Sequence, residues 1–187
     1  MDKALVKRVF LVVLLAVVLV PALSATDRPP LPAGFSWQEI PVIHAVFLKP
    51  TGWFFHEEQN SGTLAYFISK EDISKGGEFQ TGLTINVFPK LKQGSAIERG
   101  KTLVDNIVAQ HPGANHWDRQ LGPFQIFGCN VTDTDNSETT VSMTYVLANP
   151  KTNTLYLLIF ESPRNSWDTN SQIEKQIMST MSLDPDF

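Results

Sequence analysis

The residues of this chain with the most chemical potential are its histidines and the carboxylates near them. His111-Pro112-Gly113-Ala114-Asn115-His116 places two imidazoles in one short stretch, with Asp118 two residues on. Imidazole and carboxylate are zinc ligands, but a zinc site needs three or four of them in tetrahedral order, and no cysteine pair stands nearby to complete one. The expected reading is a solvated loop after a helix stop, with a metal site at His111, His116 and Asp118 as the alternative. His56-Glu57-Glu58 is a second pairing of base and acid. On a strand, residues two apart share a face, so His56 and Glu58 point the same way and Glu57 the other. An acid–base pair needs that shared face, although an exposed strand end explains the same residues.

Other patterns fall short of their chemistry. Asp133-Thr134-Asp135-Asn136-Ser137-Glu138 resembles the start of a calcium loop, yet Glu138 stands where Gly is required and Thr144 where Glu is required. A polar hairpin tip is expected instead. No Gly-x-Ser-x-Gly elbow is present. Lys75-Gly76-Gly77 lacks the flanking residues of a phosphate loop. Asn130-Val131-Thr132 is a glycosylation sequon inside an expected strand. No catalytic residue and no cofactor is therefore assigned. Aromatics are the better binding signal: Trp37, Trp53, Phe54, Phe55, Trp117 and Trp167 mostly belong in a core. Trp117 and Trp167, expected in loops, are placed to line a recognition surface.

The chain opens with a basic head, Lys3, Lys7 and Arg8, and an uncharged apolar run from Val9 to Val20. Pro21-Ala22-Leu23-Ser24-Ala25 then supplies small residues. These are the three parts of a secretory signal. The apolar run is shorter than the roughly 20 residues a retained span needs, so cleavage is expected near Ser24 or Ala25. No cysteine follows to carry a lipid, since Cys129 is the only one. The product is expected to be exported, periplasmic or secreted, without a stable membrane span.

Removing residues 1–24 takes Lys+Arg from 15 to 12 and Asp+Glu from 19 to 18, a net charge of about −6. The remaining cations are scattered, which argues against a nucleic-acid partner. A lone cysteine makes no internal disulfide, so a packed core must hold the domain. Cys129 itself, in Phe124-Gln125-Ile126-Phe127-Gly128-Cys129, reads as a buried inert thiol.

Residues 25–34 hold three prolines and a glycine and read as a lead-in; one domain over 35–187 follows. Strands are expected at 42–48, from Trp53, at 64–68, 83–88, 124–131, 139–147 and 155–160. Ser95-Ala96-Ile97-Glu98 is a capping box. It opens a helix that His111-Pro112-Gly113 stops. A last helix over 170–181 puts Ile173, Ile177, Met178 and Met181 on one face. Leu155–Phe160 is apolar on both faces, the mark of a central strand covered twice. Short turn-rich connections favour antiparallel pairing. The expectation is an α/β (α+β) fold: an antiparallel sheet of six to seven strands with two main helices on opposite faces.

This order of elements resembles the PsbP-like fold group. That group includes the PsbP subunits of photosystem II, a related nuclear import factor and exported DcrB-type proteins. The resemblance spans about residues 38–182. It rests on Lys49-Pro50-Thr51-Gly52-Trp53, Phe67-Ile68-Ser69-Lys70-Glu71-Asp72, Gly82-Leu83-Thr84-Ile85-Asn86-Val87 and Phe160-Glu161-Ser162-Pro163. It implies a non-catalytic accessory protein that docks onto a larger assembly, with a protein or envelope partner. No functional residue of the group maps onto a position here. The alternatives are a small-ligand or metal-binding protein, or a hydrolase, with a site near His111 and His116.

Overall fold

Strand alternation in the second half of the chain decides the architecture. The computed structural model describes residues 28–60, 63–135 and 138–187. The leader and its cleavage site near Ser24 and Ala25 lie outside them, as do Asn136 and Ser137 of the 133–138 hairpin. Leu31–Phe187 form one compact unit.

Seven strands form one antiparallel sheet: β3 (Phe54–Asn60), β4 (Thr63–Ser69), β5 (Gly82–Phe88), β6 (Asn115–Leu121), β7 (Phe124–Asp135), β8 (Glu138–Asn149) and β9 (Thr154–Pro163). Their order across the sheet is β3-β4-β5-β9-β8-β7-β6. A separate two-stranded hairpin, β1 (Phe35–Ile40) with β2 (Ala45–Pro50), precedes them. Two long helices complete the fold, α1 (Ala96–Gln110) and α2 (Trp167–Thr180).

The expected central strand is central. β9 lies between β5 and β8, and its odd and even residues serve two cores. Leu155 and Leu157 join Phe127, Cys129, Val131, Val146 and Ala148 beneath α1. Tyr156, Leu158 and Phe160 join Leu83, Ile85 and Val87 on the opposite face, under α2 and the β1–β2 hairpin. Cys129 is fully buried in the first core, and burial pushes its thiol pKa up. Gly100 of α1 faces Val146, Leu155 and Phe127, a close approach of helix to sheet.

The caps follow the sequence. Ser95 Oγ accepts a hydrogen bond of 3.1 Å from the Glu98 amide, half of the expected box, and α1 ends at Gln110 before His111. Three strands differ from expectation. β2 begins at Ala45, not at Val42, because Pro41–Ile43 form a 3-10 turn and His44 takes a left-handed φ of 47°. That turn separates β2 from β1, which had no place in the sequence reading. β6 occupies 115–121, where a loop was expected.

Tyr156 carries the one buried polar side-chain atom among the described residues that lacks a hydrogen-bond partner. Burial pushes its hydroxyl pKa up to about 12. An orphaned buried hydroxyl costs about 1–3 kcal/mol. Tyr156→Phe is therefore expected to match or exceed the parent in stability, read as an equal or higher urea midpoint at unchanged m-value.

Candidate functional site

The expected histidine cluster does not assemble. His111 closes α1 and its Nε2 lies 3.7 Å from Asp133 Oδ2. His116 is on β6 opposite Cys129, and Asp118 is opposite Phe127 on the same sheet face. His111 lines a cleft of about 500 Å³ with Asn130, Asp133, Arg164 and Trp167; His116 and Asp118 do not line it. Among the described residues no three His, Cys, Asp or Glu side chains group to hold a metal ion. His56 Nε2 meets Glu58 Oε1 at 3.3 Å on the exposed β3 edge, on the shared face that strand geometry requires. The side-chain hydrogen bonds of His44 and His56 run to carboxylates, and His111 Nε2 stands 3.7 Å from one, so none of the three faces a Ser, Thr or Cys nucleophile. Asn130 Oδ1 accepts from the Asn115 amide at 3.2 Å, so the sequon side chain is engaged with the neighbouring strand.

A different site is built where β6, β7 and β8 pass beneath α2. Cross-strand register stacks three residues of one sheet face: Trp117 opposite Gly128, and Gly128 opposite Tyr145. Gly128 has no side chain, and the indole of Trp117 lies across it. The Trp117 and Tyr145 rings meet edge-on at 5.5 Å. The Arg119 guanidinium covers Trp117 at 5.1 Å from the ring. Trp117 is thus a partly buried strand residue, not the loop residue expected. Trp167, likewise, is the first residue of α2 and packs on Phe160 at 6.3 Å.

From α2, Glu174 turns into the sheet and is almost fully buried. Tyr145 Oη donates to Glu174 Oε1 at 2.6 Å. Burial raises the Glu174 carboxyl pKa, against the lowering effects of the Tyr145 bond and the Lys175 charge. Burial, then the Glu174 carboxyl, raises that of Tyr145. An acid raised on folding stabilises most below its ordinary value of 4.5 and loses that stability as pH rises through the folded value. Glu174→Gln keeps an acceptor for Tyr145 and removes the titration. Its stability relative to the parent is expected to be higher at pH 7 than at pH 4, read from denaturation midpoints at the two pH values.

Beyond this pair opens a groove of about 670 Å³. Leu121, Phe124, Ile126 and Leu147 form its sheet wall, and Met178 of α2 with Met181 and Leu183 of the segment after it form the other. Arg119 and Lys175 also line it. The segment after α2 is fixed in place: Ser182 and Val46 exchange backbone hydrogen bonds of 2.8 and 3.0 Å. Asn149 Nδ2 donates to the Pro185 carbonyl at 2.8 Å, Asp184 meets His44 at 2.6 Å, and Lys151 pairs with Asp186.

A second cleft, about 850 Å³, lies at the far end of the sheet among Glu71, Glu78, Glu138, Glu161, Lys70 and Arg164. Burial raises the Glu161 carboxyl there. Its lining is mainly polar and charged with both signs, and Phe79 and Pro163 are its apolar side chains. The groove under α2 combines apolar walls with a few convergent polar groups, the make-up of a binding site. Sequence reasoning named Trp117, Met178 and Met181 separately but did not bring them together.

Gly128→Ala tests the site's foundation. A Cβ at Gly128 would lie 2.1 Å from the Trp117 ring, so the indole must leave its place. The expected cost is about 1–3 kcal/mol. In the double variant with Trp117→Ala much of that cost is expected to vanish, a coupling that a double-mutant cycle reads directly.

No protein-family model matches the chain, and no curated protein matches its sequence. Solved structures resemble it at low identity. A Bacteroides thetaiotaomicron structure shares 13% identity over 75% of this chain at a TM-score of 0.46, and this chain covers only 45% of that one. The Ran-binding protein Mog1p of Saccharomyces cerevisiae shares 11% identity over 80% of this chain and 95% of its own, at 0.48. Cyanobacterial PsbP (CyanoP) of Synechocystis shares 11% over 82% of this chain and 94% of its own, at 0.41. LpqN of Mycobacterium tuberculosis, described as involved in cell envelope biogenesis, shares 10% over 74% of this chain and 82% of its own, at 0.50. What the chain shares with LpqN is its fold, a sheet flanked by helices.

Proposed function

We propose that the chain is an exported, non-catalytic accessory protein of the PsbP-like kind. It binds a protein or envelope component through the groove under α2. The supporting observation is the groove itself: apolar walls from the sheet on one side and from α2 and the segment after it on the other, closing on one internally satisfied Tyr–Glu pair. The signal-like leader supports export. No helix among the described residues is long and apolar enough to cross a membrane.

The test uses Nile Red, an uncharged apolar dye, with the purified chain. Saturable binding of one dye per chain is expected. Met178→Gln and Leu121→Gln are each expected to weaken it by about tenfold, the equivalent of about 1.4 kcal/mol. Leu121 is 60% exposed, so its variant leaves the core intact if Met178→Gln fails to fold. Absent binding, or unchanged binding in both variants, overturns the groove reading. Ester hydrolysis by the chain that disappears in His111→Ala overturns the non-catalytic one.

A further inference from the structure

We infer that the occupant of this groove is a single free amphiphile with one anionic head, its head at Arg119 and Lys175 and its apolar chain between Phe124, Ile126, Met178 and Leu183. The inference rests on the groove reading above and adds the occupant's chemistry.

Charge supplies the first argument. The whole chain carries a formal net charge of −4, yet two cations, Arg119 and Lys175, line this one apolar groove. Neither forms an ion pair among the described residues; Arg119 rests on the Trp117 ring instead. The groove's single carboxylate, Glu174, is buried and holds the Tyr145 hydroxyl. Burial disfavours its charged form. The groove therefore presents positive charge beside apolar wall, and an anion brought there gains two cations that no carboxylate among the described residues holds in an ion pair.

Shape supplies the second. About 670 Å³ falls within the ~300–1,000 Å³ range of small-molecule sites. Methionines on the helix side are unbranched and adaptable, which suits a flexible chain more than one rigid shape. A membrane surface fits less well. Leu121 is the only large hydrophobic residue of the groove that stands well exposed; the others, Leu31, Val42, Phe54 and Ile97, lie outside it. Membrane docking wants a contiguous protruding apolar face, whereas this wall is recessed between α2 and the β6–β7 hairpin.

The experiment is calorimetric titration of the full chain with sodium laurate below its critical micelle concentration. Dodecyltrimethylammonium is the cationic control, and Nile Red is measured in parallel. Expected are one laurate per chain and an affinity at least about tenfold above that of the cationic probe. Arg119→Gln and Lys175→Gln are each expected to lower laurate affinity several-fold more than Nile Red affinity. Lys175 is exposed on α2, so its variant tests the head even if Arg119→Gln disturbs Trp117. Equal binding of the two charged probes, unaltered laurate affinity in both variants, or tighter binding to anionic phospholipid vesicles than to laurate overturns the inference. Failure with laurate while Nile Red still binds overturns the occupant and leaves the groove standing. Failure with both overturns the groove reading as well.

Discussion

Phe160→Ala is expected to lower stability by about 3–5 kcal/mol, the range for deleting a fully buried aromatic side chain. Phe160 has no exposed surface. It stands on β9 between Leu83 of β5 and Met143 of β8, and Trp167 at the start of α2 packs against its ring at 6.3 Å. Four elements thus meet at one side chain, and none can follow the lost ring without disturbing the sheet. The cavity would remain largely open, which places the loss at the upper part of that range. A urea or guanidinium midpoint shift at constant m-value measures it. A loss under 1 kcal/mol would mean that β9 is not the doubly covered centre of the sheet.

Gly82→Ala is expected to cost about 3 kcal/mol, the upper end for forced overpacking. The reason is space and not backbone freedom. A Cβ on Gly82 would sit 2.2 Å from the Ile68 carbonyl oxygen and 2.9 Å from Ser69 Cα. Both are backbone atoms of the paired strand β4, opposite which Gly82 lies. They cannot rotate away as a side chain can, so β4 and β5 must separate. Gly113→Ala is the control: a Cβ there meets nothing within 4 Å, and its effect is expected within about 0.5 kcal/mol. Equal midpoints for the two variants would refute the pairing of Ser69 with Gly82.

These residues show which parts of the fold the chain displays locally. Leu83, Ile85 and Val87 alternate, and all three enter one core. Leu155 to Phe160 are apolar at every position because two cores share them. Such strands declare their burial in sequence. β6 does not: Asn115 to Leu121 forms a sheet edge, and only Trp117 there is partly buried. An edge strand with one buried residue has no apolar period to read, so His116 and Asp118 were expected on a loop. The start of β2 was hidden for a different reason. Pro41 and the left-handed His44 fold a turn into a continuous apolar run, Val42 to Leu48, that reads as one strand.

The groove was the least legible feature. Its walls come from β6, β7, β8, α2 and the segment after it, which only the folded register brings together. Met178 and Met181 were expected on the apolar face of the last helix; Met178 is there, whereas α2 ends at Thr180 and Met181 follows it, and both pack against the core while also lining the groove. The one signal that could have marked the place was Gly128. A glycine inside an apolar strand marks the close approach of another group, and here that group is the Trp117 ring.

Binding through the groove under α2 is read residue by residue in amide chemical-shift mapping with 1-decanol. The shifts are expected to concentrate at residues 119–126, 145–147 and 174–183 and to saturate at one ligand per chain. Shifts centred instead on His111 and Asp133, or on the charged cleft around Glu138 and Glu161, would contradict it.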